Sequence, residues 1–321
     1  MMVVIGLGIL LGGLALSIWA ARRAWCLKSQ SLKWSATLLT SVCAAACTAA
    51  VLFVLNGLIK LHGRAAPVPD ITIAATPEQM QRGAAIARAS CSDCHSKTAQ
   101  LTGDMEMAEH FPVPIGSFVS ANLTPAGALR SWSDGEIFRA LRNSIDPQGR
   151  WLIVMSYTNA SRLSDTDIRS LIAYLRSLPA AGQPTRQPPD RLSLLGLILL
   201  GSGQLPTGKP VFNGSVTAPP PAVSAAYGRY LVSYQDCTQC HGQDLTGGIP
   251  GQMGAVGPDL NLVKAWKREE FIATLRTGKD PSGHVIRAEM PWRGVGHMSD
   301  DELSAIYAYL THLPVSQTAR R

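Results

Sequence analysis

No aspartate or glutamate occurs in residues 1–64, although the chain of 321 residues holds 22 of them. The same stretch carries six cations, Arg22, Arg23, Lys28, Lys33, Lys60 and Arg64, which leaves 23 basic against 22 acidic residues for the rest of the chain. The formal charge of +7 therefore belongs almost wholly to the N-terminal segment. The remainder lacks the clustered basic face that nucleic acid requires, so that partner is excluded. Two CxxC pairs are present, but neither has a second cysteine or histidine pair beside it to close a tetrahedral zinc site. The βαβ pattern of a thioredoxin-like dithiol is missing as well. No constellation of general acid, base and nucleophile stands out elsewhere.

What the sequence does have is long apolar runs, Met1 to Ala21 and about Ser35 to Ile59, each near the roughly 20 residues a helix needs to cross a bilayer. The first has no basic n-region and exceeds the usual signal-peptide core, so it reads as a retained helix. Between the runs, "ARRAWCLKSQSLKW" carries four cations in a short loop, which the positive-inside rule assigns to the cytoplasm. Everything after Lys60 then faces outward. Gly8 and Gly12 form a GxxxG in the first run and "SVCAAACTAA" in the second is rich in small residues, a composition suited to close helix packing, between the spans or with another subunit.

The CxxC pairs lie in "CSDCH", Cys91 to His95, and "CTQCH", Cys237 to His241. Thiols at i and i+3 on a helical turn can each add to a haem vinyl group, and the following histidine then presents its imidazole to the iron. The pattern predicts two covalently bound haem c groups held by Cys91, Cys94, Cys237 and Cys240, with His95 and His241 as iron ligands. Covalent attachment takes place outside the bacterial cytoplasmic membrane, on the side the charge distribution assigns to both motifs.

An internal repeat follows. "WSDGEIFRALRNSIDPQGRWLIVMSY" from Trp132 aligns with "WKREEFIATLRTGKDPSGHVIRAEMPW" from Trp266, and each is followed by a helix that starts on Ser-Asp and ends at Pro179 or Pro314. Each unit reads as a helix leading into CxxCH, an irregular loop, an amphipathic helix, a methionine-bearing loop and a closing helix. The leading helices are "TPEQMQRGAAIARAS" and "AVSAAYGRYLVSYQD", in which Gly83 and Gly228 either let the closing helix approach or are merely tolerated. Met155 lies 60 residues after His95 and Met290 lies 49 after His241, at equivalent places in the repeat, and both are expected as sixth iron ligands. Competing candidates are Met105, Met107 and His110 in the first unit, and Met253, His284, His297 and Met298 in the second. "GPDL" at Gly257–Leu260 resembles the segment whose proline carbonyl holds the axial histidine. The first unit shows "SANLTP" instead and "MSY" in place of "MPW", which suggests a looser first site with its own potential.

The expected architecture is all-α: an anchor of two transmembrane helices over residues 1–64, a first haem c domain over 65–180, a Pro/Gly-rich linker over 181–222 and a second haem c domain over 223–321. The apolar piece Leu192 to Leu200 in the linker is too short to span a bilayer. It would lie on the membrane surface, cover the groove between the domains, or pack beneath the linker. The linker's proline content suits domains held at a set separation.

The haem units resemble the class I cytochrome c fold. Over roughly residues 77–315, "ANLTP", "WSDGEIFRALRNSIDPQGR", "MSY" with "LSDTDIRSLIAYLRSLP", and "YGRYLVSYQDCTQCHG" are similar to the cytochrome c subunits of membrane-bound bacterial alcohol, aldehyde and sugar-acid dehydrogenases. That resemblance implies an electron-transfer subunit in the bacterial cytoplasmic membrane with its haems on the periplasmic side. It would take electrons from a dehydrogenase and pass them to quinone or a terminal oxidase. Such subunits commonly carry three haem domains, so two domains behind two N-terminal helices is a departure. The alternatives are the dihaem subunit of a haem-copper oxidase or other respiratory complex, and a dihaem peroxidase or thiosulfate dehydrogenase. The last class needs an open or Cys/His-ligated iron, against which the two matching methionines argue.

Overall fold

Two stretches with no anionic side chain and little polarity form helices α1 (Met2–Ala24) and α2 (Gln30–His62). At 1.5 Å per residue they run about 34 and about 50 Å, long enough to cross a bilayer, and they fit a membrane anchor. The computed structural model describes residues 2–96, 100–184, 190–250 and 255–314. The two helices pack as a hairpin. Their close approach does not use the GxxxG pair: a Cβ at Gly8 or Gly12 would meet nothing within 4 Å, whereas one at Gly13 would lie 3.4 Å from the Cys47 sulfur.

In the first haem unit, α3 (Pro77–Ile86) opens on a capping box in which the Thr76 hydroxyl accepts from Gln79 N and the Gln79 side chain returns to Thr76 N. It runs through a π-helical turn, Ala87–Cys91, into α4 (Ser92–His95). Next come α5 (Asp134–Asn143), α6 (Ile153–Tyr157) and α7 (Asp165–Ser177). The connecting segment holds α8 (Leu194–Ser202). The second unit repeats the order with α9 (Ala225–Tyr234), α10 (Cys237–His241), α11 (Arg268–Thr277), α12 (Trp292–Val295) and α13 (Asp300–Thr311). The Ser-Asp starts behave as the sequence suggests, Ser164 and Ser299 each accepting a backbone N–H three residues on. A short antiparallel ribbon, β1 (Gly116–Phe118) with β2 (Asp190–Leu192), is the addition to a mostly helical fold.

In each unit the leading helix crosses the closing helix at a glycine. A Cβ on Gly83 would lie 2.0 Å from Ser170 O, and one on Gly228 would lie 1.8 Å from Ala305 O. These glycines are required by backbone contact, and the choice left open by the sequence is resolved in both units.

The two haem units meet directly. Ile86 and Leu171 of the first share one apolar cluster with Leu231, Leu303 and Ile306 of the second. Arg82 on α3 binds both Asp167 on α7 (2.8 Å) and Glu302 on α13 (2.5 Å). Asp167 also accepts from the Tyr230 hydroxyl at 2.6 Å, and that hydroxyl accepts from Ser164 N. A second cluster joins the first unit to the anchor: Val54 and Leu61 of α2 pack with Phe118, Trp151, Ile153 and Leu197. Trp151 N donates to Leu61 O at 2.9 Å, and the Arg64 guanidinium lies 4.7 Å over the Trp151 ring. The connecting segment is thus packed against both the first unit and the anchor.

Candidate haem sites

The helical turn of each CxxCH segment sets its two thiols and imidazole on one side. Around the first, Cys91, Cys94 and His95 line a largely apolar, partly open cavity. α6 brings Met155 to the same cavity, and Leu123, Trp132 and Leu171 supply apolar wall. Met155 sits on a short helix, where the sequence suggested a loop. Met107 lines this cavity too. In the second unit Cys237, Met290 and Trp292 pack against the shared core, and His241 is buried. Of the competing candidates there, Met298 is buried in that core, His284 is exposed on Asp280, and Met253 lies outside the described residues. The same holds for the side chain of His110.

Both histidines are held alike. His95 Nδ1 lies 2.8 Å from Ala121 O and His241 Nδ1 2.7 Å from Pro258 O. A carbonyl only accepts, so Nδ1 carries the proton and Nε2 keeps its lone pair for a metal. Burial lowers both imidazole pKa values, which keeps the rings neutral, although the carbonyl contacts act the other way. The Pro258 contact is the one "GPDL" suggested. In the first unit "SANLTP" does the same work through Ala121, so the missing proline motif does not leave His95 unheld. Gly257 is constrained by this arrangement, since a Cβ there would lie 2.8 Å from the His241 ring.

Burial pushes the Cys91 and Cys237 thiols up to about 12, the neighbouring Cys94 adding to the first and Asp236 to the second. An apolar cavity with two thiols, a neutral imidazole and a thioether fits a haem c. Three carboxyls that the sequence did not single out, Asp146, Asp190 and Asp236, also line it. Arg150 lies close enough to Asp146 and Asp190 to interact with their charges, and its buried Nη1 has no partner among the described residues.

Both CxxCH segments lie at the contact between the two units. Each touches the stretch that follows the other unit's methionine. Asn159 N donates to Asp236 Oδ1 at 2.6 Å and Gln239 Nε2 to Tyr157 O at 2.8 Å. Conversely, α12 packs on the turn before Cys91, and a Cβ on Gly294 would lie 2.6 Å from Asp93 Oδ2. Gln235 Nε2 bonds Ser90 Oγ between the two leading segments at 2.9 Å. The docking is thus a pseudo-twofold pairing of repeats.

Asp236 lies within this contact. Burial raises its pKa to about 6, opposed by Asn159 N, Lys209 and Arg162. The folded carboxyl therefore holds a proton between about pH 4 and 6 where the unfolded one has lost it, so stability falls as pH rises through that window. At about 1.4 kcal/mol per unit the penalty above pH 6 reaches about 2–3 kcal/mol. Asp236→Asn is expected to be more stable than the parent by up to that amount at pH 7, and equal to it at pH 4. Urea midpoints at the two pH values check this, and a gain of the same size at both would refute it.

The arrangement defines a c-type cytochrome with two attachment sites. The chain belongs to the family described as "Cytochrome C oxidase, cbb3-type, subunit III", which matches residues 78–175 and 224–310, one match per haem unit. It is 27% identical over 279 residues to the cytochrome c subunit of a quinone-dependent alcohol dehydrogenase of Komagataeibacter europaeus, covering 75% of this chain and 58% of that one. A gluconate 2-dehydrogenase cytochrome c subunit of Pantoea cypripedii is 26% identical over 272 residues, 73% of this chain and 59% of its own. A "Diheme cytochrome c-type" protein of Cereibacter sphaeroides is 23% identical over 248 residues, 70% and 82% of the two chains. The chain thus spans little more than half the length of the dehydrogenase subunits it matches. Its cofactors are two covalently bound haem c groups, and its role is electron transfer.

Proposed function

We propose that this chain is a membrane-anchored subunit that takes electrons from a dehydrogenase on the outer side of the bacterial cytoplasmic membrane and delivers them to quinone or a terminal oxidase. The observation that carries this reading is the reciprocal contact of each CxxCH region with the stretch after the other unit's methionine, which supports an internal path between the two sites. The relatives named as dehydrogenase subunits support the donor. The haem irons supply one-electron redox chemistry when bound. Cys91 and Cys94 would hold the first group, Cys237 and Cys240 the second. His95 and His241 would present Nε2 to the metal, their rings fixed by the Ala121 and Pro258 carbonyls. Met155 and Met290 would each offer a thioether to the iron. Met155 is preferred to Met107 because it shares its place in the repeat with Met290. A thioether paired with an imidazole would favour the ferrous state and suit electron transfer.

Met155→Ala and Met290→Ala are each expected to open one iron to carbon monoxide. Each should also lower that site's midpoint by on the order of a hundred millivolts, a fraction of the roughly 0.8 V over which axial ligands set haem potentials. Redox titration and carbon monoxide difference spectra check this, and a parent protein that already binds carbon monoxide at both sites would refute the ligand assignment. Purification from membranes in mild detergent tests the partner. A co-purifying dehydrogenase supports the proposal. Co-purifying oxidase subunits would favour the second reading, a haem-copper oxidase subunit, for which the family's description speaks.

A further inference from the structure

The connecting segment between the haem units contains an element that neither role uses. From Leu192 to Pro206 the chain carries no charge, and Arg191 and Lys209 bracket it. Within it α8 runs down the outer end of α2 with backbone contact: a Cβ on Gly57 would lie 2.3 Å from Leu197 O, and one on Gly201 would lie 1.8 Å from Phe53 O. Phe53 precedes the last residue of α2, His62, by nine positions, so the tip of α8 sits about 13 Å below the helix end at 1.5 Å per residue. The chain then turns at Gly203, φ +83°, and climbs back to Lys209, whose carbonyl accepts from Arg64 just beyond α2.

A helix that ends in hydrocarbon has no water to satisfy its last carbonyls and must find partners inside the protein. α8 does so. Leu199 O accepts from Gln204 N and Leu205 N, Leu200 O from Gly203 N and Lys60 Nζ, and Gly201 O from Asn56 Nδ2 at 2.7 Å and Lys60 Nζ. Asn56 and Lys60 of α2 are thus directed onto the end of α8, and the Lys60 cation meets the negative end of a helix. The outward face is apolar, with Leu195 42% exposed and Ile198 and Leu199 half-buried beside it.

We propose that α8 and its return to Lys209 form a re-entrant hook embedded in the outer leaflet, with Leu195, Ile198 and Leu199 against lipid acyl chains. This rests on reading α1 and α2 as membrane spans. Its consequence is positional. β2 leads into α8 through Ser193, pairs with β1, and contributes Asp190 to the first haem cavity. The hook therefore pins the first haem site at the lipid boundary, beside a lipid-soluble electron acceptor, and leaves the second site for a partner in the aqueous phase.

The test uses the full-length holoprotein in lipid nanodiscs of phosphatidylethanolamine and phosphatidylglycerol, in a Cys26→Ser, Cys43→Ala, Cys47→Ala background. Single cysteines are placed by Leu195→Cys on the hook, Leu11→Cys on α1 and Val285→Cys on the second haem unit, and each is challenged with polyethylene-glycol maleimide. Leu195→Cys and Leu11→Cys should label only after dodecyl sulfate, and Val285→Cys should label at once. If Leu195→Cys labels as fast as Val285→Cys while Leu11→Cys stays blocked, the hook is in water and the inference falls, with the anchor intact. If Leu11→Cys also labels, the membrane reading falls and takes the hook with it. A phospholipid bearing a diazirine on its acyl chain gives a second readout in the unmutated protein. Cross-links should map to residues 194–202 as well as to α1 and α2, and cross-links confined to α1 and α2 would overturn the inference.

Discussion

Arg82→Met is expected to destabilise the haem-bearing region by about 3–5 kcal/mol, the usual cost of removing one partner from a buried ion pair. Arg82 is about a quarter exposed, but Asp167 and Glu302 keep only 9% and 10% of their side-chain surface. Burial disfavours the charge on Arg82, yet its hydrogen bonds to Asp167 and the nearby tyrosines raise its pKa well above the ordinary value. Methionine keeps much of the side-chain volume and leaves two carboxylates facing each other without a cation. The leading helix of one unit loses its tie to the closing helices of both. Urea denaturation of the detergent-solubilised protein, followed by far-ultraviolet circular dichroism, measures the loss. A loss below about 1 kcal/mol would show that the cluster is solvated like a surface pair. Arg82→Met combined with Asp167→Asn and Glu302→Gln should recover much of the stability, because the stranded charges cause the cost.

Gly228→Ala and Gly83→Ala should each cost at or above the upper end of the roughly 1–3 kcal/mol typical of overpacking. The colliding atom is in both cases a backbone carbonyl oxygen of the closing helix, which no rotamer change can move aside. Relief requires the helices to separate along their crossing, where Ile86 packs in one unit and Leu231 in the other. Gly228→Ala should also reduce covalent haem in the second unit, read as a loss of one porphyrin mass. Gly8→Ala is the control, since its Cβ would point into open space, and it should stay within about 0.5 kcal/mol of the parent. Equal stability for all three would remove the crossing as the reason for the glycines.

The features legible in the sequence are those whose cause is local. A vinyl-reactive pair of thiols with an adjacent imidazole needs Cys91, Cys94 and His95 at fixed spacing, and the same chemistry repeats at Cys237. Helix starts at Ser164 and Ser299 follow from side chains that cap the N–H groups three residues on. The Pro258 carbonyl was legible because proline leaves a recognisable motif, whereas the Ala121 carbonyl was not, because any residue supplies one. Asp190 was hidden for another reason: it comes from the connecting segment and reaches the cavity only through the pairing of β2 with β1.

By itself, the sequence determined the haem chemistry, the repeated helical plan and the apolar anchor, since covalent spacing, helical periodicity and hydropathy each act within one segment. Only the tertiary structure decided how the parts face each other. Arg82 and Glu302 are 220 residues apart in the chain and Lys60 and Leu200 are 140 apart. Contacts between such distant groups depend on shape and on the satisfaction of buried polar atoms, and neither leaves a period or a motif to read.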